Sequence, residues 1–338
     1  MRQPWIHKGK TDFWFILFPT FFVLGIVIFF HEWLLQIQDK YSFYTWLFLI
    51  VFIDVAHVYS TLFKTYFVKS EFLNNKKLYV GLPVFCFLVG LILYGLGSNV
   101  FWSVLAYIAV FHFIRQQYGF LRLYARREDK TKINRYSDAL IIYAATIYPM
   151  LYWFFSSPRE YNWFVENEFY RYESGFLIQI ITLVYVLIVL YYVFRTLYCY
   201  FKTDYFNIPK NLIIIGTLLS WFLGIVYYNN DLVFTLLNVV SHGIPYIALI
   251  YLKEINMKSN QELGILFHFK NLKGIFFFLF IVTVIAFFEE FLWEILIWKE
   301  NFNSKLITIE WQFLVVPLLT VPQFTHYLLD GFIWKNNH

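Results

Sequence analysis

Residues 13–30 read FWFILFPTFFVLGIVIFF, eighteen consecutive residues without a charge, and this stretch decides the fold class. An apolar run of 18 or more residues covers about 27 Å as a helix, close to the roughly 30 Å hydrocarbon core of a bilayer. The run is as long as a membrane span and has no A-x-A-like exit, so it reads as a retained span rather than a cleavable signal. Working outward, nine further runs follow at 43–63, 78–96, 99–121, 138–155, 176–198, 211–228, 232–252, 274–293 and 313–333. The bulk composition agrees: 60% of residues are apolar, 24% aromatic and 14% charged, far from the balance of a soluble domain. We therefore expect an all-α, polytopic integral membrane helix bundle of about ten transmembrane helices. No internal repeat and no Pro/Ser-rich linker divides the chain, so residues 1–338 read as a single transmembrane domain. Tight turns at Gly97-Ser98-Asn99 and Asn229-Asn230-Asp231 make the flanking spans antiparallel neighbours.

The charges test that count independently. Lys and Arg gather before the first span, at Arg2, Lys8 and Lys10, and again after every even span. The loops after even spans hold Lys64, Lys69, Lys76 and Lys77, then Arg122, Arg126, Arg127, Lys130, Lys132 and Arg135. Further along come Arg195, Lys202 and Lys210, then Lys253, Lys258, Lys270 and Lys273, and finally Lys335. Loops after odd spans carry Lys40, Arg159, Arg171, Lys299 and Lys305 against a larger acidic set that includes Glu160, Glu166, Glu168, Glu173 and Asp231. The positive-inside rule then places both termini in the cytoplasm, as expected for a protein of a bacterial inner membrane. The net charge of +5 is spread by topology, and nothing points to nucleic acid. Cys86 and Cys199 form no CxxC pattern and suggest neither a disulfide framework nor a zinc ribbon.

Four histidines lie inside apolar spans, one each on spans two, four, eight and ten: His57 in FIDVAHVY, His112 in VFHFIRQQYG, His242 in NVVSHGIPY and His326 in PQFTHYLLDG. All four spans run in the same direction, and each histidine falls about 16–21 Å along its span at 1.5 Å per residue, so the four share one layer. An ionisable group at membrane depth costs a few kcal/mol or more, which makes it a functional candidate by default. Each histidine also has a polar residue three or four positions away, on its own helical face: Asp54, Gln116, Asn238 and Asp330. Imidazole is the commonest biological metal ligand, and a neighbouring carboxylate or amide fixes its tautomer. The plain alternative is that each histidine bonds between helices. The other four serve as controls: His7 and His338 are terminal, His268 lies in a basic loop, and His31 follows the first span. None shares the layer.

Other polar groups invite the same question. Arg115 lies one turn from His112 and reads either as a partner of Asp54, Asp330 or an anionic group, or as a structural ion pair. Glu289, Glu290 and Glu294 fall at the end of the ninth expected span, where charges reach water. The 42 Phe and 27 Tyr face lipid or pack the bundle, and some suit an aromatic tunnel for a long conjugated substrate.

The histidine inventory ranks metal sites. Membrane di-iron desaturases need HxxxH and HxxHH clusters, which are absent, and a zinc intramembrane protease needs HExxH, whereas His31 begins only HEW. A two-haem cytochrome pairs histidines along one helix, while here each helix gives one. A four-histidine non-haem iron (Fe2+) centre fits best, with positions left for dioxygen. Two alternatives stay open: a transporter or channel with a His/Asp/Arg ion relay, and a haem-binding electron-transfer subunit.

The strings FHF in span four, HG in span eight and TVPQFTHYLLD in the last span resemble the bacterial Brp/Blh-type β-carotene 15,15′-dioxygenase family. The chain departs from that family in having His57 within DVAH rather than an early histidine-glycine motif, and in being longer by about two spans. The resemblance implies an iron-dependent oxygenase that cleaves an apolar polyene with dioxygen, with His57, His112, His242 and His326 as iron ligands by position. Its expected partners are the membrane, dioxygen and a lipid-soluble substrate.

Overall fold

Every apolar run becomes a helix in the computed structural model, which describes residues 3–37, 45–299 and 309–334. Arg2, Lys40, Lys305, Lys335, His338 and residues 43–44 of the second expected span lie outside the described residues. In chain order the helices are α1 (Gly9–Ile37), α2 (Trp46–Phe63), α3 (Lys76–Leu96), α4 (Ser98–Tyr124), α5 (Lys132–Phe155), α6 (Gly175–Thr203), α7 (Ile208–Tyr227), α8 (Asp231–Asn256), α9 (Leu272–Trp298) and α10 (Ile309–Ile333). Among the described residues there is no strand, and α1 to α9 are each long and apolar enough to cross a membrane. α10 has the length, at 25 residues, and is more polar because it carries Thr320, Gln323, Thr325, His326 and Asp330. The protein is thus an all-α, polytopic integral membrane protein. Its exposed surface agrees: Phe176, Leu183, Phe194 and Phe201 of α6 all face outward, which suits lipid and not water.

Helix starts follow local chemistry. Thr131, Ser174, Asn207, Asn230 and Asn271 each accept a backbone N–H from three residues ahead, capping α5 to α9 in turn. The α3–α4 turn depends on Gly97, whose φ of +132° lies in a region that L side chains avoid. Several spans contain wide, π-type turns, the longest being Trp46–Val55, which leads directly to His57.

Residue proximity groups the chain into two compact units, residues 1–40 with 109–242 and residues 41–108 with 243–338. In the first, α1 packs on α7, α7 on α5 and α5 on α6. A Cβ on Gly216 of α7 would lie 2.9 Å from Thr20 Cγ2, so α1 and α7 approach closely only because that position is bare. In the second unit α3 packs along α10, and α9 along α2. Its core joins Val51, Phe63, Tyr246, Ile250, Phe269 and Phe278.

The loop between α5 and α6 is pinned by Glu168, whose buried carboxylate accepts N–H groups from Trp163, Phe164 and Val165 at 2.5, 2.8 and 3.0 Å. Burial pushes this carboxyl above its ordinary range, while the three N–H donors act in the opposite direction.

Candidate metal centre

Within the second unit, α2 supplies His57 and α10 supplies His326. Both are buried, and their rings lie 4.9 Å apart between centroids at 78°. A hydrogen-bonded chain runs from the second ring. Thr61 Oγ1 lies 2.9 Å from His326 Nδ1 and 3.1 Å from the Tyr246 hydroxyl, which donates to Asp330 Oδ1 at 2.5 Å. Each hydroxyl has one proton. With Asp330 as a carboxylate, the Tyr246 proton is committed to it, so Thr61 donates to Tyr246 and accepts from His326 Nδ1–H. In that protonation state the His326 lone pair is on Nε2, the nitrogen 3.9 Å from Asp330 Oδ2. Asp54 Oδ1 lies 3.7 Å from His57 Nδ1, one turn back on the same helix.

Within the first unit, α4 supplies His112 and α8 supplies His242, again buried, with centroids 5.0 Å apart at 81°. Aromatic rings pack against this pair. Phe113 packs at a tilt of 52° and 4.4 Å from His242 and in turn contacts Trp163 and Trp221, which meet Phe234. Gln116 donates to the His242 carbonyl at 2.9 Å and Gln117 to the Ser241 carbonyl at 3.3 Å, tying α4 to α8 through backbone acceptors.

The two pairs have nearly the same geometry, and that geometry can be compared with metal coordination. With a metal–nitrogen bond of about 2.0–2.1 Å and the ring centre about 1.2 Å farther on, two imidazoles at about 90–110° around one ion have centroids about 4.6–5.3 Å apart. Two axial ligands on opposite sides of an iron would be about 6.5 Å apart by the same arithmetic. Both observed pairs fall in the first range. Imidazole with nearby carboxylate is a donor set suited to iron, zinc or copper.

The polar partners separate into two kinds. Asp54 and Asp330 lie beside their histidines as the spacing suggests. Gln116 serves the backbone of α8, and Asn238 donates to the Phe234 carbonyl on its own helix at 3.1 Å. The Arg115 guanidinium donates to the Tyr143 hydroxyl at 3.4 Å and lies over the Tyr118 ring.

Glu289 differs from expectation. It is buried rather than at a wet helix end, and it accepts hydrogen bonds from Tyr59 and, at 3.4 Å, from Trp293. The reason is helix length: α9 continues to Trp298, which puts about 13 Å of helix beyond Glu289. His268 is exposed, and His7 and His31 are partly so, as befits residues outside the layer. Thr61 and Tyr246 escaped the sequence reading although each lies four residues after a layer histidine. The same face rule that singles out Asp54 and Asn238 on the N-terminal side finds both, and hydroxyl groups simply stand out less than charges in apolar runs.

Comparison with family models, with curated proteins and with solved structures gave no match.

Proposed function

We propose that this protein is a membrane-embedded non-haem iron oxygenase acting on an apolar, lipid-soluble substrate, with His57, His112, His242 and His326 as ligands of one iron. The observation that carries this reading is the recurrence of one imidazole pair, at 4.9 Å and 78° in one unit and 5.0 Å and 81° in the other, at the spacing of adjacent ligands on a single ion. That both pairs serve one ion rests on the common depth read from the sequence. Iron bound there would supply the activation of dioxygen.

The chain's own residues then have definite tasks. Thr61 keeps the proton of His326 on Nδ1, so that Nε2 is the ligand atom, and Tyr246 with Asp330 holds Thr61 in that role. Phe113, Trp163, Trp221 and Phe234 keep water from the His242 side, which suits oxidation of a hydrocarbon. A substrate entering sideways from lipid avoids crossing about 10 Å of apolar bundle from an aqueous face. The resemblance to the β-carotene dioxygenases makes a carotenoid the first substrate to try.

We place the chain in a bacterial inner membrane with both termini cytoplasmic, from the alternation of basic and acidic loops. Cysteine labelling at Glu166→Cys should succeed in intact cells; labelling only after permeabilisation would reverse the orientation.

A second reading, an ion relay, is favoured by the hydrogen-bonded chain His326–Thr61–Tyr246–Asp330, which has the form of a proton path. Elemental analysis with a visible spectrum separates the two. The oxygenase should hold one iron per chain without a Soret band, and in a β-carotene-accumulating strain it should bleach the pigment and yield retinal. Persistent pigment with iron-loaded protein would end the carotenoid assignment. Protein that retains no metal would bring the relay forward, and a Soret band would indicate haem.

A further inference from the structure

We propose a binding site for an anionic glycerophospholipid along the α5–α6 seam of the first unit, with the headgroup phosphate on Arg195 and an acyl chain in the apolar groove beside it. Two adjacent features of the seam, one polar and one apolar, carry this.

The polar feature is a cavity of about 140 Å³ at the basic end of the seam, lined by α5, α6, the start of α7 and the loop that holds Arg127. At about 30 Å³ per water it has the room of several waters, enough for a phosphate group. Most of its charges are already balanced. Lys210 bonds Glu128 at 2.7 Å and Asp138 at 3.3 Å, and Arg122 bonds Asp138 at 3.2 Å, so two cations meet two carboxylates. Arg195 is different. Its guanidinium donates to the Asn134 amide oxygen, and among the described residues it has no carboxylate partner. A guanidinium has five N–H donors in a planar fork that matches phosphate, and one amide oxygen occupies little of it. The exposed Arg127 also lines the cavity, against the exposed Asp129, so the lining itself is balanced at three cations and three carboxylates, and Arg122 on Asp138 leaves the cluster one cation in excess.

The apolar feature is a groove of about 240 Å³ farther along the same two helices, between Leu140, Ala144, Ile147 and Leu151 of α5 and Val184 and Ile188 of α6. Stacked Tyr148 and Tyr185 form one wall, 4.0 Å between centroids. On α6 the linings come within one turn, Ile188 against Tyr192; on α5 they are two residues apart, Asp138 and Leu140. A molecule with a charged head and an apolar tail fits that order, and α6 is the helix most exposed to lipid. Basic pockets between spans at the membrane surface are recognised sites for anionic headgroups. The apolar groove argues against free phosphate, and the excess of one cation favours a net-anionic headgroup over a zwitterionic one.

The test uses purified full-length protein and native mass spectrometry with dioleoyl-phosphatidylglycerol, dioleoyl-phosphatidylcholine and inorganic phosphate. One phosphatidylglycerol should bind in preference to phosphatidylcholine. Arg195→Gln should weaken that binding about five- to tenfold, the effect of losing one cation at a lipid headgroup. Ile188→Trp, which fills the groove from a half-exposed position, should weaken phosphatidylglycerol without changing iron content. Equal retention of the two lipids by the unaltered protein would overturn the proposal, as would indifference to both substitutions. Displacement of phosphatidylglycerol by millimolar phosphate alone would mean an anion site with no role for the acyl chain, and would overturn it too.

Discussion

The two histidine pairs have the same geometry and different neighbours. His57 and His326 sit in a polar frame of Thr61, Tyr246, Asp330 and Asp54, whereas His112 and His242 sit against Phe113 and the Trp163–Trp221–Phe234 cluster. Hydrogen bonds fix a ring's tautomer as well as its angle, while ring packing fixes only its position. Hydroxyls and carboxylates thus surround the first pair, and an apolar wall lies against the second. A hydroxyl or carboxylate can be deleted without changing volume much, so the comparison is open to experiment at single atoms.

The largest effect should come from the rings themselves. Alanine at any one of His57, His112, His242 or His326 should abolish or strongly reduce iron content by elemental analysis, while His31→Ala and His268→Ala keep it. Full occupancy in any two of the four variants would sink the shared site. Two irons per chain in the unaltered protein, one lost with each pair, would mean that the pairs work separately.

Next in size are the polar supports. Asp330→Asn and Tyr246→Phe should each weaken iron about ten- to a hundredfold, the usual cost of losing a group that orients a ligand. Gln116→Leu, on the aromatic side, should change iron affinity by less, because its hydrogen bond goes to a backbone carbonyl. An equal loss for Gln116→Leu would erase the contrast between the pairs. A loss for Asp330→Asn as complete as for a histidine would make Asp330 a ligand.

The smallest effect on iron, and a clear one on stability, is expected at Trp221, which is 2% exposed. Trp221→Ala should cost about 3–5 kcal/mol through the cavity it leaves, seen as a lowered Tm. Iron affinity should fall far less than for Asp330→Asn. If the order is reversed, the aromatic cluster governs the ligand and not only its surroundings.

Much of this molecule was legible in one dimension. Span position follows from hydropathy, a sum over neighbouring residues, and all ten expected runs became helices, with α1, α5, α6 and α9 running five to seven residues past one expected end. The turns at Gly97 and Asn229 follow from local backbone chemistry, with φ of +132° and +45°. Asp54 and Asp330 were readable beside their histidines because helical periodicity relates residues three and four apart.

The sequence by itself therefore determined a chain of long apolar helices with a histidine inside four of them, since each of those properties belongs to a residue or to its immediate neighbours. Tertiary structure alone decided that His57 meets His326 and His112 meets His242, that Thr61 reaches a ring 265 positions away, and that Tyr59 finds Glu289 across 230. Periodicity says which face of a helix a side chain occupies. Which other helix that face will meet depends on how close-packed surfaces interlock, and on small residues such as Gly90, where a Cβ would come within 3.1 Å of Pro317. That information is spread over both surfaces at once, and no window along the chain contains it.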